Sequence, residues 1–152
     1  MQIEIRELQD GDAGELAGME EEAFSMPWTE SDFRGLLTHA YCHYLVALAD
    51  GRLAGCCGYT ESCGEANIDN VVVAKEYRNC GIAQAMLQAL IDRGETEGIE
   101  AFTLEVRVSN TVAIHIYEKF GFRSEGIRPG FYEKPREDAV IMWRRKKGQD
   151  IC

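Results

Sequence analysis

The chain has 152 residues, 45% of them hydrophobic, and a formal net charge of −10. That suffices for one sizeable core and excludes two, and no apolar run approaches the roughly 20 residues that cross a bilayer. So acidic a surface repels nucleic acid and anionic membranes, leaving neither as an expected partner, and attracts molecules that carry amines.

The N-terminus, Met1-Gln2-Ile3-Glu4-Ile5, lacks a basic stretch followed by an apolar one, so no secretory signal is read and the cytoplasm is the expected compartment. Ile3 and Ile5 alternate with polar residues as a strand does. Asp12 to Phe24 reads as a helix, with Leu16, Met19 and Ala23 along one face. A second, short helix follows Pro27-Trp28, opened by Thr29-x-x-Asp32 as a capping box. Tyr44 to Ala49 and Arg52 to Tyr59 flank Asp50-Gly51, a strong hairpin signal. The next strand, Ala66 to Val73, ends in Val71-Val72-Val73, a run that suggests burial on both faces.

Beyond a short loop, Ala83, Met86, Leu87, Leu90 and Ile91 form a helical stripe that stops at Gly98. Phe102 to Val108 is a strand, and Ala113, Ile116, Tyr117 and Phe120 predict a helix closed by Gly121. Two last strands lie around Phe122 to Gly126 and Ala139 to Trp143, and the basic run Arg144-Arg145-Lys146-Lys147 reads as a solvated terminus. The order β-α-α-β-β-β-α-β-α-β-β predicts a mixed α+β fold with helices on both sides of the sheet. Residues 1–148 read as a single domain and 149–152 as a short tail.

Six cysteines, at positions 42, 56, 57, 63, 80 and 152, contain no C-x-x-C pair. They are expected to be reduced thiols, with Cys56 and Cys57 on opposite faces of one strand. His39 and His43 have helical spacing in a segment already turning into a strand, so no metal site is expected.

The informative stretch runs from Val71 to Gln84. A buried strand enters a loop, and a helix begins near Gly81. Unpaired amides at a helix start point outward, and the helix dipole favours negative charge there. Gly81 permits close approach, Ala83 stays small, and Arg78 adds a cation, a combination suited to a pyrophosphate. An ordinary loop with a glycine in it is the other reading. A Walker loop needs Gly-Lys-Ser/Thr and a dinucleotide fingerprint needs G-x-G-x-x-G; neither is present.

Arg78-x-x-Gly81-x-Ala83 resembles the Q/R-x-x-G-x-G/A motif of the GNAT acetyltransferase superfamily. The resemblance narrows through Pro27-Trp28-Thr29-Glu30, Leu104-Glu105-Val106-Arg107, Ser109-Asn110, Ala113-Ile114, Tyr117, Gly121-Phe122, Glu137-Asp138-Ala139 and Met142, all of which look like the RimI group. It implies a GNAT fold, a mixed but mostly antiparallel sheet of about six to seven strands flanked by about four helices. It further implies an enzyme that transfers acetyl from acetyl-CoA to the N-terminal alanine of a small-subunit ribosomal protein. Carried over residue by residue, acetyl-CoA would be held by Val71, Val72, Val73, Arg78, Asn79, Cys80, Gly81, Ile82, Ala83, Gln84 and Asn110. Glu105 would be the general base and Tyr117 the general acid. Cys80 departs from the polar residue or glycine more common at its loop position.

The chemistry suits these residue types. An amine attacks a thioester as its free base, so the reaction needs a proton acceptor, an oxyanion donor and a proton donor to the departing thiolate. A backbone amide in the Val71–Val73 segment can serve as oxyanion donor if strand pairing opens there. Glu105 is otherwise one of a solvated strand face shared with Thr103 and Arg107, Tyr117 otherwise a core residue, and Asn110 also a candidate helix cap. Phe131-Tyr132, placed in the loop before the last strand, with Glu137 and Asp138, would line the amine side; a turn with solvated charges is the alternative. A small amine, a polyamine or a lysine side chain remain alternative acceptors, and a non-catalytic acyl-CoA sensor is the alternative of a different class.

Overall fold

Asp50 and Gly51 both take positive φ, 49° and 82°, the geometry of a two-residue hairpin turn whose twist matches its strands. They join β2 (Cys42–Ala49) to β3 (Arg52–Ser62), with β1 (Ile3–Glu7) antiparallel to β2 on one side and β4 (Glu65–Val73) antiparallel to β3 on the other. The computed structural model describes residues 1–146. From β4 the chain crosses through α3 (Ile82–Thr96) and returns as β5 (Ala101–Arg107), parallel to β4; parallel strands need such a crossover. After α4 (Thr111–Lys119), β6 (Arg123–Tyr132) turns back into β7 (Glu137–Arg145), which inserts between β5 and β6. The result is one seven-stranded sheet in the order β1-β2-β3-β4-β5-β7-β6, the mostly antiparallel mixed sheet that the sequence leads one to expect.

Helices cover both faces. α1 (Ala13–Ala23) and α2 (Glu30–Leu36) bury Leu16, Met19 and Phe33 against Tyr44, Val46, Cys56 and Val72. On the other face, Ile82, Met86, Leu90 and Ile91 of α3 pack on Ala47, Cys57, Phe102 and Leu104, joined by Ile116, Tyr117 and Phe120 at the edge. Cys56 and Cys57 thus face opposite cores, as alternation along a strand requires. The capping box forms as its spacing predicts: the Asp32 amide donates to Thr29 Oγ1 at 3.1 Å, and the Thr29 amide to Asp32 Oδ2 at 2.8 Å. Gly58 has no substitute, because any Cβ there would enter the Tyr44 ring.

Two expectations need correction. Phe131 and Tyr132 end β6 rather than sit in a loop, for β6 runs well past Gly126. A Pro-Gly pair locally favours a turn, yet β6 is an edge strand and a register shift between Arg128 and Tyr132 accommodates Pro129. Arg144 and Arg145 are likewise no solvated terminus. They belong to β7 and pair with Glu95 at 3.3 Å and Glu125 at 2.8 Å. Lys147, the tail 149–152 and Cys152 lie outside the described residues. No helix of the described chain is long and apolar enough to cross a membrane.

Candidate active site

The ladder between β4 and β5 has only three rungs, Glu65↔Ala101, Ala66↔Phe102 and Asn67↔Thr103. Immediately beyond it the β3–β4 register jumps from Tyr59↔Ile68 to Gly58↔Asn70, which leaves Asp69 as a bulge residue. A bulge bends its strand and increases the twist, and β4 and β5 part. A cleft of about 810 Å³ opens between Ile68–Val71 and Leu104–Arg107. The Ala74 amide donates to Ala54 on β3, so alternation directs the Val71 and Val73 amides away from β3, into the split. The opening that an oxyanion donor requires is therefore present.

β4 then leads to the loop that runs from Arg78 to Gly81. Asn79 and Gly81 both adopt left-handed backbone, φ 63° and 79°, which turns the chain sharply into α3 and which glycine adopts without a steric penalty. Gly81 is the N-cap, and no side chain caps the helix. The first bond of the helix runs from the Ala85 amide to the Gly81 carbonyl at 3.0 Å, so the Ile82, Ala83 and Gln84 amides are the donors that a helix start leaves open. Arg78 lies exposed beside them, its Nε donating to the Val73 carbonyl at 3.3 Å, and the Cys80 thiol donates to the Arg78 carbonyl at 3.5 Å. An uncapped helix of 15 residues beginning at the mouth of a split sheet fits an anionic group carried by a chain that enters the split.

Val71, Glu105, Asn110, Tyr117, Tyr132 and Glu137 all wall the one cleft. Glu105 is half-buried on β5, where Asn67 Nδ2 donates to its Oε2 at 3.5 Å and Arg128 Nη1 stands 3.8 Å from its Oε1. Tyr117 packs edge-on against Phe122 at 5.8 Å, and burial raises its phenol above the ordinary value, keeping it protonated. Tyr132 is pushed up to about 12, first by burial and then by the charge of Glu105. Asn110 does cap α4, its Oδ1 accepting from the Ala113 amide at 3.2 Å, and it still borders the cleft. Glu137 accepts from the Ser109 amide at 2.7 Å and from Arg107 Nη1 at 3.1 Å, and those bonds hold its carboxyl below the usual range. Asp138 is directed elsewhere: its carboxylate accepts from the Gly130 amide at 2.9 Å. Val72 is buried in the core beneath α1.

The fold family and the sequence model converge here. Residues 6–122 match the model of the acetyltransferase (GNAT) family. The chain belongs to the GNAT family, and it is an N-acetyltransferase. Among GNAT relatives, the ribosomal protein bS18-alanine N-acetyltransferase of Escherichia coli is 33% identical over 140 residues, 91% of this chain and 94% of that one. The enzyme of the same name from Salmonella typhimurium is 36% identical over 126 residues, 82% and 84% of the two chains. The crystal structure of the Escherichia coli ribosomal-protein-S18-alanine N-acetyltransferase superposes with a TM-score of 0.88 at 30% identity, covering 99% of each chain. A more distant GNAT structure, the PaiA N-acetyltransferase of Thermoplasma acidophilum in complex with coenzyme A, shares the fold at TM-score 0.78 and 20% identity, covering 96% of this chain and all of that one.

Several cleft residues of this GNAT chain carried no readable signal. Arg107 shares a strand face with Glu105, yet its guanidinium reaches over the Tyr132 ring at 4.5 Å and donates to the carbonyls of Glu133 and Pro135. It thereby ties the β6–β7 turn to the cleft. Asp69 accepts from the hydroxyls of Tyr44 and Thr60, and burial raises its carboxyl. Glu20 reads as one of three successive glutamates on a helix and is almost fully buried at the cleft wall. Each of these depends on a partner distant in sequence.

Proposed function

We propose that this enzyme transfers acetyl from acetyl-CoA to the N-terminal α-amine of a protein, an alanine of a ribosomal protein, in the cytoplasm. The observation that carries this reading is the shared cleft: Glu105 and Tyr117 both wall the opening where β4 leaves β5, and β4 continues into the uncapped start of α3. Acetyl-CoA supplies an activated acyl thioester and a pyrophosphate. The Val71 and Val73 amides and the loop from Arg78 to Gln84 would hold it, with Val72 shaping the strand and Asn110 bordering the same space. Glu105 takes the proton of the attacking amine, directly or through a water, and Tyr117 gives its proton to the leaving sulfur. Tyr132 and Glu137 border the amine side. The names and 33–36% identity of the bacterial relatives support alanine of ribosomal protein bS18 as the acceptor.

An α-amine is also the easier acceptor. Its pKa is about 8 against about 10.4 for lysine, a difference of about 2.4 units or roughly 3 kcal/mol that a lysine site must supply by further tuning. The test incubates the enzyme with acetyl-CoA and peptides that differ only at the first residue, beside an N-terminally blocked peptide containing lysine, and reads the products by mass. Fastest transfer to the free alanine terminus is expected. Faster transfer to the blocked lysine peptide would overturn the acceptor and leave the acetyltransferase standing.

A further inference from the structure

Acetyl transfer as described makes no use of Glu20, although it is a carboxylate at the cleft wall and only 2% exposed. Its Oε1 accepts from the Trp28 amide at 3.1 Å. Its Oε2 is buried without a hydrogen-bond partner among the described residues, a state otherwise seen there only at the Tyr59 hydroxyl. The Trp28 ring is pinned in turn between Phe33, 5.5 Å away, and Tyr44, 5.9 Å away. Between the end of α1 and Trp28 the chain runs along the cleft as Phe24-Ser25-Met26, with Phe24 42% and Met26 57% exposed. Glu20 also faces Asn70, the residue that follows the bulge in β4. Burial raises the Glu20 carboxyl, opposed by the Trp28 amide and by Asn70. An incompletely satisfied buried carboxyl is costly to keep, and a solvated glutamate elsewhere on α1 would avoid that cost.

We infer that Glu20 is a positioning residue for the acceptor: its carboxyl ties the segment 24–28 back to the end of α1 through the Trp28 amide, so that Phe24 and Met26 stand as a fixed apolar rim for the peptide beyond its amine. The inference rests on the peptide-acetylating reading. Two features make the carboxyl fit this role. It is almost fully buried at the cleft wall with its Oε1 on the Trp28 amide, and the loop's own backbone offers little else, since the Phe24 amide bonds back to the Glu20 carbonyl of α1 at 2.9 Å.

The test uses Glu20→Met, which keeps volume and removes the acceptor, and Glu20→Gln, which keeps a carbonyl for the Trp28 amide. In Glu20→Met, hydrogen exchange at the Trp28 amide should quicken by about 10-fold, the worth of one hydrogen bond, and the peptide KM should rise by a similar factor. kcat and the dissociation constant of acetyl-CoA should stay within about twofold. Glu20→Gln should restore both the exchange rate and KM. Phe24→Ala, at an exposed position, should raise the peptide KM by itself and combine non-additively with Glu20→Met, because both remove the same rim. An unchanged peptide KM in folded Glu20→Met or in Phe24→Ala, additive effects in the pair, or a loss confined to kcat would overturn the inference. Wild-type enzyme that acetylates none of the free-amine peptides would instead refute the functional reading on which it rests.

Discussion

Asn67 and Thr103 are the last partners of the parallel ladder between β4 and β5. One residue farther along each strand the sheet is still continuous with β3 and β7, but its middle has come apart. Asn67 then spends its side chain on Glu105, two residues past Thr103, at 3.5 Å. The candidate base thus stands at the apex of the split, where an amine entering from one side would meet an acyl group entering from the other.

Replacing Glu105 by Gln keeps the hydrogen-bond acceptor for Asn67 and removes the base. kcat should fall on the order of 10²-fold. Wild-type turnover in the variant would return Glu105 to a solvated strand face.

Tyr117→Phe retains the edge-on contact with Phe122 and loses the hydroxyl alone. Turnover should drop on the order of 10²-fold with little change in Tm. Burial raises the Tyr117 phenol above its ordinary value, so the donor stays protonated as pH rises. Wild-type kcat should therefore show no alkaline fall from this group between about pH 7 and 9. An alkaline limb in that window that disappears in Tyr117→Phe would contradict the assignment.

The loop makes two separate predictions. Acetyl-CoA at about 100 times its dissociation constant should stabilise the wild type by roughly 2.7 kcal/mol. Gly81→Val puts a branched residue at φ 79°, which costs about 1–3 kcal/mol and displaces the amides; its thermal shift should vanish while the protein stays folded. Cys80 and Cys63 are both exposed, whereas Cys56 and Cys57 are buried with raised thiol pKa values. Alkylation of Cys80 should slow at least about 10-fold under saturating acetyl-CoA, with Cys63 unaffected. Equal protection of the two, or of neither, would count against cofactor binding at this loop.

A pH test of stability lies far from the cleft. Arg6 donates to both oxygens of Asp12, at 2.8 and 2.9 Å, and the Gln9 amide adds a third bond at 2.8 Å. Arg6 foremost holds the Asp12 carboxyl below its ordinary 3.8. A depressed carboxyl contributes stability above its unfolded pKa and loses it as pH falls through the folded one. Arg6→Gln should cost about 1–3 kcal/mol at pH 7 and shrink that loss below about pH 4. Equal sensitivity of wild type and variant to acid would show that the pair has no such role.

What the sequence determined by itself was local. The Asp50-Gly51 turn, the Thr29–Asp32 capping box, the α3 stripe and the glycine start of that helix are each decided within a few residues by dihedral preference and periodicity. The opposite burial of Cys56 and Cys57 follows from alternation alone. Glu105, Tyr117 and the Arg78–Gln84 loop were singled out only through the resemblance to the GNAT motifs, since residue type and spacing left each with an ordinary structural reading. The tertiary structure alone decided where the ladder ends, because the Asp69 bulge is a matter of register between strands and no residue type announces it. It also decided the length of β6, since pairing with β7 carries the edge strand through a Pro-Gly pair that locally favours a turn. Arg107 on the Tyr132 ring and Arg144 and Arg145 on distant glutamates are long-range partnerships, and the burial of Glu20 is set by the fold packed around it. A charged side chain looks the same in sequence whether water or a distant partner solvates it, and only packing makes the difference.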